Sequence, residues 1–312
     1  MARSIHDYYA FLIMSNKIII DTDPGVDDAL AIAMAIGAGL DIEALCTVFG
    51  NASVDDTTKN AITVLHLLGR DIPVFKGSES PLDGISKFAT AHGKGGFGGI
   101  SLSTRVKAER LSALDFYPKY LELQSDSSIT IICIGPLTNI AKVLEKNMNL
   151  IKKIKEIIIL AGVIGEKGNI SEYAEFNAYN DPYSLKYVLA LNVKKILIPA
   201  NVCRKVVFNE YVFDKLKGDL TNKMKKVINE YINYYKYDNE FGGYNGGVMY
   251  DIFAISYILD LSAFKVGKAC VEVITKGEKR GQTRAIGCTS NCEIALDVNP
   301  RVIEKLFVTN MR

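Results

Sequence analysis

The chain has 312 residues, 48% hydrophobic and 23% charged, and 37 Lys and Arg against 35 Asp and Glu leave a formal net charge of +2. This apolar share excludes a disordered or fibrous protein, and the near-balance of charge gives a nucleic-acid partner no electrostatic footing. The longest apolar runs fall short of the ~18 residues that a membrane span needs, and the length allows one large domain or two small ones.

At the N-terminus, Tyr8 to Met14 is an apolar stretch of seven residues with Asp7 before it and no small-residue cleavage site after it. No secretory signal is expected there. Residues 1–13 are read as an N-terminal extension, the domain as 14–312, and the protein as cytoplasmic. The six cysteines are scattered, and Cys288 and Cys292 are close without a second pair or a histidine to join them. Free buried thiols are therefore expected, with neither a zinc site nor a disulfide framework. Of three histidines, His66 falls inside a helical pattern, which leaves His92 as the candidate for chemistry.

β-Branched runs then alternate with helical patterns. KIIID (17–21), IEALCTVFG (42–50), IPVF, ITIICIG (129–135), EIIILAG (156–162) and KKILIPAN (194–201) read as strands buried on both faces. Helical segments separate them, and residues 208–260 read as mostly helical. Strands near 269–275 and 283–288 follow, then a last helix. This is the pattern of βαβ units: one α/β domain with a mostly parallel, doubly wound sheet, helices on both faces and the active site at the carboxyl ends of the strands.

Directly after the first strand, DTDPGVDDA places Asp21, Asp23, Asp27 and Asp28 within eight residues. One of them would suffice as a helix cap. Four crowded carboxylates repel unless a cation or a shared proton offsets their charge, and a hard divalent cation with oxygen ligands suits them. Further polar clusters follow the later strands: VFGN (48–51), AHGKGGFGG (91–99), IGPLTNIA (134–141), GNISEYAEFN (168–177) and MYDIFA (249–254).

In that order, from residue 17 to about 308, these segments resemble the nucleoside hydrolase family of the inosine–uridine-preferring type. The first loop and the GN…AEFN segment are its most specific motifs. The resemblance implies calcium-dependent hydrolysis of the N-glycosidic bond of ribonucleosides, with release of ribose and a free base in nucleoside salvage, by a homodimer or homotetramer. Matched position by position, Asp23, Asp28, Asp251 and the backbone carbonyl of Ile134 become calcium ligands, and Asp23 the general base. Asp27, Asn51, Asn169, Glu175 and Asn177 match the ribose-binding set, and His92 on the glycine-rich loop faces the ligand.

Three positions depart from the family pattern. Tyr250 stands before Asp251 where many members have His. A phenol, with a pKa of about 10, is a weaker acid toward a departing purine than imidazolium, although it still donates a hydrogen bond. Tyr250 is entered as its substitute. Ala161 replaces a common Met, and Asn201 a common Asp. With no tryptophan, stacking on a base must use Tyr or Phe. The tyrosines of NEYINYYKYDNEFGGYNGG (229–247) are read as core or interface. The alternatives are a catalytically weakened binding homologue and a magnesium-dependent haloacid dehalogenase-like phosphotransferase, whose Asp-x-Asp after a strand also fits IIIDTD.

Overall fold

In β1 (Lys17–Thr22), Ile18 and Ile20 point into one hydrophobic core and Ile19 into a second, as the period of two requires. The computed structural model describes residues 17–100, 107–216, 218–237 and 243–311, so the expected extension 1–13 and the boundary at Met14 lie outside the described residues. β1 leads into α1 (Val26–Gly37), β2 (Ile42–Thr47) into α2 (Val54–Leu67), and β3 (Val74–Lys76) follows. Next come α3 (Ala113–Glu122), β4 (Ile129–Cys133), α4 (Thr138–Lys146) and β5 (Ile154–Leu160). The short α5 (Phe176–Asn180) and α6 (Pro182–Ala190) precede β6 (Lys194–Ile198). Then α7 (Ala200–Cys203), α8 (Glu210–Asp214), α9 (Asp219–Tyr237) and α10 (Ile252–Leu259) carry the chain to β7 (Phe264–Val273), β8 (Thr283–Ile286), β9 (Cys292–Val298) and α11 (Pro300–Asn310).

Among the described residues nine strands form one sheet in the order β3-β2-β1-β4-β5-β6-β9-β7-β8. Strands β1 to β6 and β9 run parallel, while β7 is antiparallel to β9 and to β8. One face packs against α1, α9, α10 and α11, the other against α3, α4 and α6. Covering both faces explains why the strands read as unbroken apolar runs. The expected α/β domain with a doubly wound sheet is what forms.

Two expectations are corrected. The sequence reading passes from the strand near 283–288 straight to the last helix, yet β9 intervenes and pairs in parallel with β6. Its CEIALDV is interrupted by Glu293 and Asp297, with Leu296 and Asp297 exposed, so it lacks the unbroken β-branched run that marks the inner strands. The free-thiol reading also fails for one pair. Cys270 on β7 and Cys288 beyond β8 are disulfide-bonded, their Cα atoms 5.6 Å apart, while Cys46, Cys133, Cys203 and Cys292 are buried free thiols. The β7–β8 hairpin folds the 18-residue separation back on itself.

Candidate active site

β1 lies between β2 and β4, so the connections diverge there and a crevice opens at the carboxyl ends of the strands. A cavity of about 230 Å³ occupies it. Asp23, Asp27, Asn51, His92, Ile134, Asn169, Glu175, Asn177, Tyr250 and Asp251 all line it. Asp28, the remaining residue expected in the site, is buried beneath them in the first turn of α1.

The pleat of β1 splits the acidic loop. Asp21 falls on the Ile19 side, where the Tyr117 hydroxyl donates to it at 2.9 Å and Asn139 Nδ2 at 3.1 and 3.2 Å. Burial pushes it up to about 7 against these hydrogen bonds. Asp21 therefore belongs to a separate buried network, not to the crowd in which the sequence reading places it. Its place there is taken by Asp251, whose ligand oxygen lies with those of Asp27 and Asp28 within 4.8 Å of one another. Asp251 occupies the N-cap position of α10, but its side chain caps nothing.

Asp28 is held by the Thr22 hydroxyl at 2.6 Å, the Gly25 N–H at 2.9 Å and Asn51 Nδ2 at 3.0 Å. Asp23 accepts the Asn51 N–H at 2.8 Å, and Asn51 Nδ2 also donates to the Asp23 carbonyl at 3.0 Å. Burial first, and then the charges of neighbouring aspartates, raise Asp23, Asp28 and Asp251, while burial raises Asp27. Such a group ionises together only beside positive charge. Oxygen donors, full burial and mutual proximity fit a hard divalent cation. Among the described residues the acid group whose oxygens could share one ion is Asp27, Asp28 and Asp251. Asp23 stands beside it, and the Ile134 carbonyl accepts from Asn177 Nδ2 at 2.9 Å.

His92 Nδ1 accepts the Val26 N–H at 3.0 Å and lies 3.8 Å from Asp27 Oδ1. Burial drives His92 down to about 4, so the ring is neutral near pH 7 and its proton sits on Nε2. It can donate one hydrogen bond but is no reservoir of acid.

Across the cavity, Asn169, Glu175 and Asn177 come from the segment after β5. Glu175 caps α5 and accepts three backbone N–H groups, from Gly162 at 2.7 Å, Asn177 at 2.9 Å and Ala178 at 3.1 Å. Burial nevertheless raises it to about 7. Asn169 Oδ1 accepts the Phe176 N–H at 2.8 Å, which leaves its amide nitrogen to donate. Asn177 Nδ2 ties the Ile134 and Leu160 carbonyls together, at 2.9 and 3.1 Å, and leaves its oxygen to accept. The departure at Asn201 is structural: its Oδ1 accepts the Ile164 N–H at 2.9 Å.

Tyr250 closes the remaining wall. Its buried hydroxyl donates no hydrogen bond among the described residues, and burial lifts it to about 12 although the Arg204 guanidinium beside it favours the phenolate by charge and hydrogen bonding. Tyr231, Tyr234 and Tyr235 of α9 also line the cavity, which corrects their assignment to core or interface alone. The Tyr231 hydroxyl donates to the Val248 carbonyl at 3.0 Å and to Asp27 Oδ2 at 3.2 Å. Their i, i+3, i+4 spacing marked one helix face, and three hydroxyls on a face that packs inward were the available sign that it met something polar.

A sequence model of the family described as "Inosine-uridine preferring nucleoside hydrolase" matches residues 18–305. Uridine nucleosidase 1 of Arabidopsis thaliana is 34% identical over 274 residues, which cover 86% of this chain and 81% of that protein. A non-specific ribonucleoside hydrolase, RihC, of Salmonella paratyphi A is 31% identical over 294 residues, covering 91% and 94%. The solved structure of a plant nucleoside hydrolase superposes with a TM-score of 0.88 at 26% identity, covering 95% of this chain and 99% of that one. The phosphotransferase reading finds no support in these matches.

Proposed function

The chain belongs to the inosine–uridine-preferring nucleoside hydrolase family, the N-glycosyl hydrolases of ribonucleosides, and we propose that the cavity at the β1–β4 crevice is where it cleaves the bond between ribose and base. The observation that carries this reading is convergence. Residues from six separated segments, ten in all, line one cavity, with carboxylates at its floor and amides along its side.

Cleavage needs a water deprotonated, a ribosyl cation stabilised and a base released. Asp23 is the proton acceptor: it lines the cavity, and an ionised carboxylate there can take the proton of an attacking water. A hard divalent cation, for which calcium is our proposal with Asp23, Asp28, Asp251 and the Ile134 carbonyl as ligands and Asp27 alongside, supplies the positive charge that keeps these acids ionised, acidifies water and orients vicinal hydroxyls. Asp27, Asn51, Asn169, Glu175 and Asn177 bind the ribose hydroxyls. The neutral His92 donates from Nε2. The Tyr250 hydroxyl, whose proton meets no acceptor among the described residues, donates to the departing base, next to the tyrosine wall. The resemblance also supports a homodimer or homotetramer working in nucleoside salvage.

Ribose release from a panel of purine and pyrimidine nucleosides tests this. Asp23→Asn keeps the size and removes the acceptor, so turnover should fall by about 10²–10⁴-fold. Wild-type protein that frees ribose from no nucleoside, or an Asp23→Asn variant of normal turnover, would overturn the reading.

A further inference from the structure

Between β7 and β8 the chain makes a turn that no site motif includes, and Arg280 reaches from it, 6% exposed, into the protein. Its guanidinium joins two segments that lead into the cavity wall. Nε donates to the Tyr179 carbonyl at 3.0 Å, and Nη2 to the Asn180 carbonyl at 3.4 Å, both in α5. Nη2 also donates to the Ile85 carbonyl at 2.9 Å and to Asp83 Oδ1 at 3.1 Å, while Nη1 grips Asp83 Oδ2. Gly281 presses the turn onto α5: at φ +78°, a Cβ there would lie 2.5 Å from the Tyr179 Cα.

The gripped segment runs straight into the site. Asp83 and Ile85 precede Lys87, Phe88 and His92, which line the cavity, and α5 carries Asn177. Hydrophobic packing does little to hold this loop, since Leu82, Ile85 and Phe88 are 42%, 54% and 59% exposed. Polar staples hold it instead. The Leu82 N–H donates to Asp181 at 3.2 Å, the Lys87 N–H to Asn180 Oδ1 at 2.8 Å, and Arg280 supplies the bidentate pair between them. A buried planar fork that satisfies a carboxylate and several carbonyls at once sets the separation of what it joins.

We propose that Arg280 is a positioning residue for substrate binding: it fixes the entrance loop 83–92 to the ribose-side helix α5 and so sets the width of the cavity. The proposal rests on the nucleoside hydrolase reading of that cavity. Arg280 touches no reacting atom, so its loss should act on binding and leave the chemical step nearly intact.

The experiment compares wild type, Arg280→Ala, Arg280→Lys and Asp83→Asn by ribose-release kinetics and by amide hydrogen exchange of the ligand-free protein. In Arg280→Ala, KM for the best nucleoside should rise about tenfold with kcat within about threefold, since misplaced binding groups cost affinity before chemistry. Exchange should quicken across 83–92 and stay unchanged in β1 and β4. Arg280→Lys keeps the charge without the fork and should fall between. An unchanged KM with unchanged exchange at 83–92 overturns the proposal, as does faster exchange throughout the sheet. Should Arg280→Ala not fold, Asp83→Asn decides, because it removes only the loop's half of the pair. If wild type releases no ribose, the functional reading fails, while the exchange comparison still decides whether Arg280 holds the loop.

Discussion

Tyr250 and Glu175 are both buried ionisable groups, and their surroundings give them opposite tasks. Tyr250 is pushed up to about 12 by burial and keeps its proton at every working pH, so it can donate a hydrogen bond but is not a ready acid. Bases that leave without help should therefore be favoured. p-Nitrophenyl riboside, with a good phenolate leaving group, should show a high kcat/KM relative to inosine. Tyr250→Phe should lower inosine hydrolysis by about tenfold while sparing the nitrophenyl substrate, the loss of one hydrogen bond to developing charge. Equal rates for both substrates in that variant would make Tyr250 a wall only.

Glu175 is raised from 4.5 to about 7, chiefly by burial. The folded state thus holds its proton more tightly than the unfolded chain. Its contribution to stability is complete below about pH 4.5 and is lost as pH rises through about 7. Glu175→Gln has no such proton. Urea unfolding at pH 5 and pH 8 should show the stability of wild type relative to Glu175→Gln falling by on the order of 2 kcal/mol, since most of the span from 4.5 to about 7 lies between those two conditions and each pH unit in it costs ~1.4 kcal/mol. A pH-independent difference would contradict the shift.

At the scale of elements, helix entries build the acid cluster. α1 begins at Gly25, whose φ of −106° any residue can adopt, so glycine is needed there for space. A Cβ would meet His92 Nδ1 at 2.6 Å and Asn51 Nδ2 at 2.8 Å. Gly25→Ala should displace both, break the His92 bond to Val26 and loosen the Asn51 grip on Asp23 and Asp28. A stability loss of about 1–3 kcal/mol is expected, as for other overpacked buried sites, with ribose release reduced at least about tenfold. Unfolding and turnover measurements on one preparation check both. α10 shows the same economy: Asp251 sits where a cap would sit, but its carboxylate turns to the cavity.

For the whole molecule, cation binding should couple to folding, because the cluster of Asp27, Asp28 and Asp251 assembles from the chain on either side of 222 intervening residues only when the sheet and helices have packed. A ligand at ~100 times its dissociation constant adds ~2.7 kcal/mol. Calcium should therefore raise the melting temperature by several degrees over the chelated protein, and Asp251→Asn should abolish the rise. Melting curves that are identical with calcium and with chelator would remove the metal from the account.

Much of this was legible in residue order. Unbroken β-branched runs alternating with helical patterns dictated a parallel sheet with both faces covered, and that topology fixes where a site can be. Asp23, Asp27 and Asp28, crowded after the first strand, announced a cation, and the motifs after later strands named the other candidates. The tertiary structure alone decided what depends on direction and on distant contact. The pleat turns Asp21 to the opposite face of the sheet, which proximity in sequence cannot reveal. Tyr231, Tyr234 and Tyr235 look the same as core until a neighbouring strand end supplies the cavity they face. The pairing of Cys270 with Cys288, the pairing of β9 with β6 and the reach of Arg280 to Asp83 across the fold are set by packing between elements, and such long-range pairings leave no periodic mark in the chain.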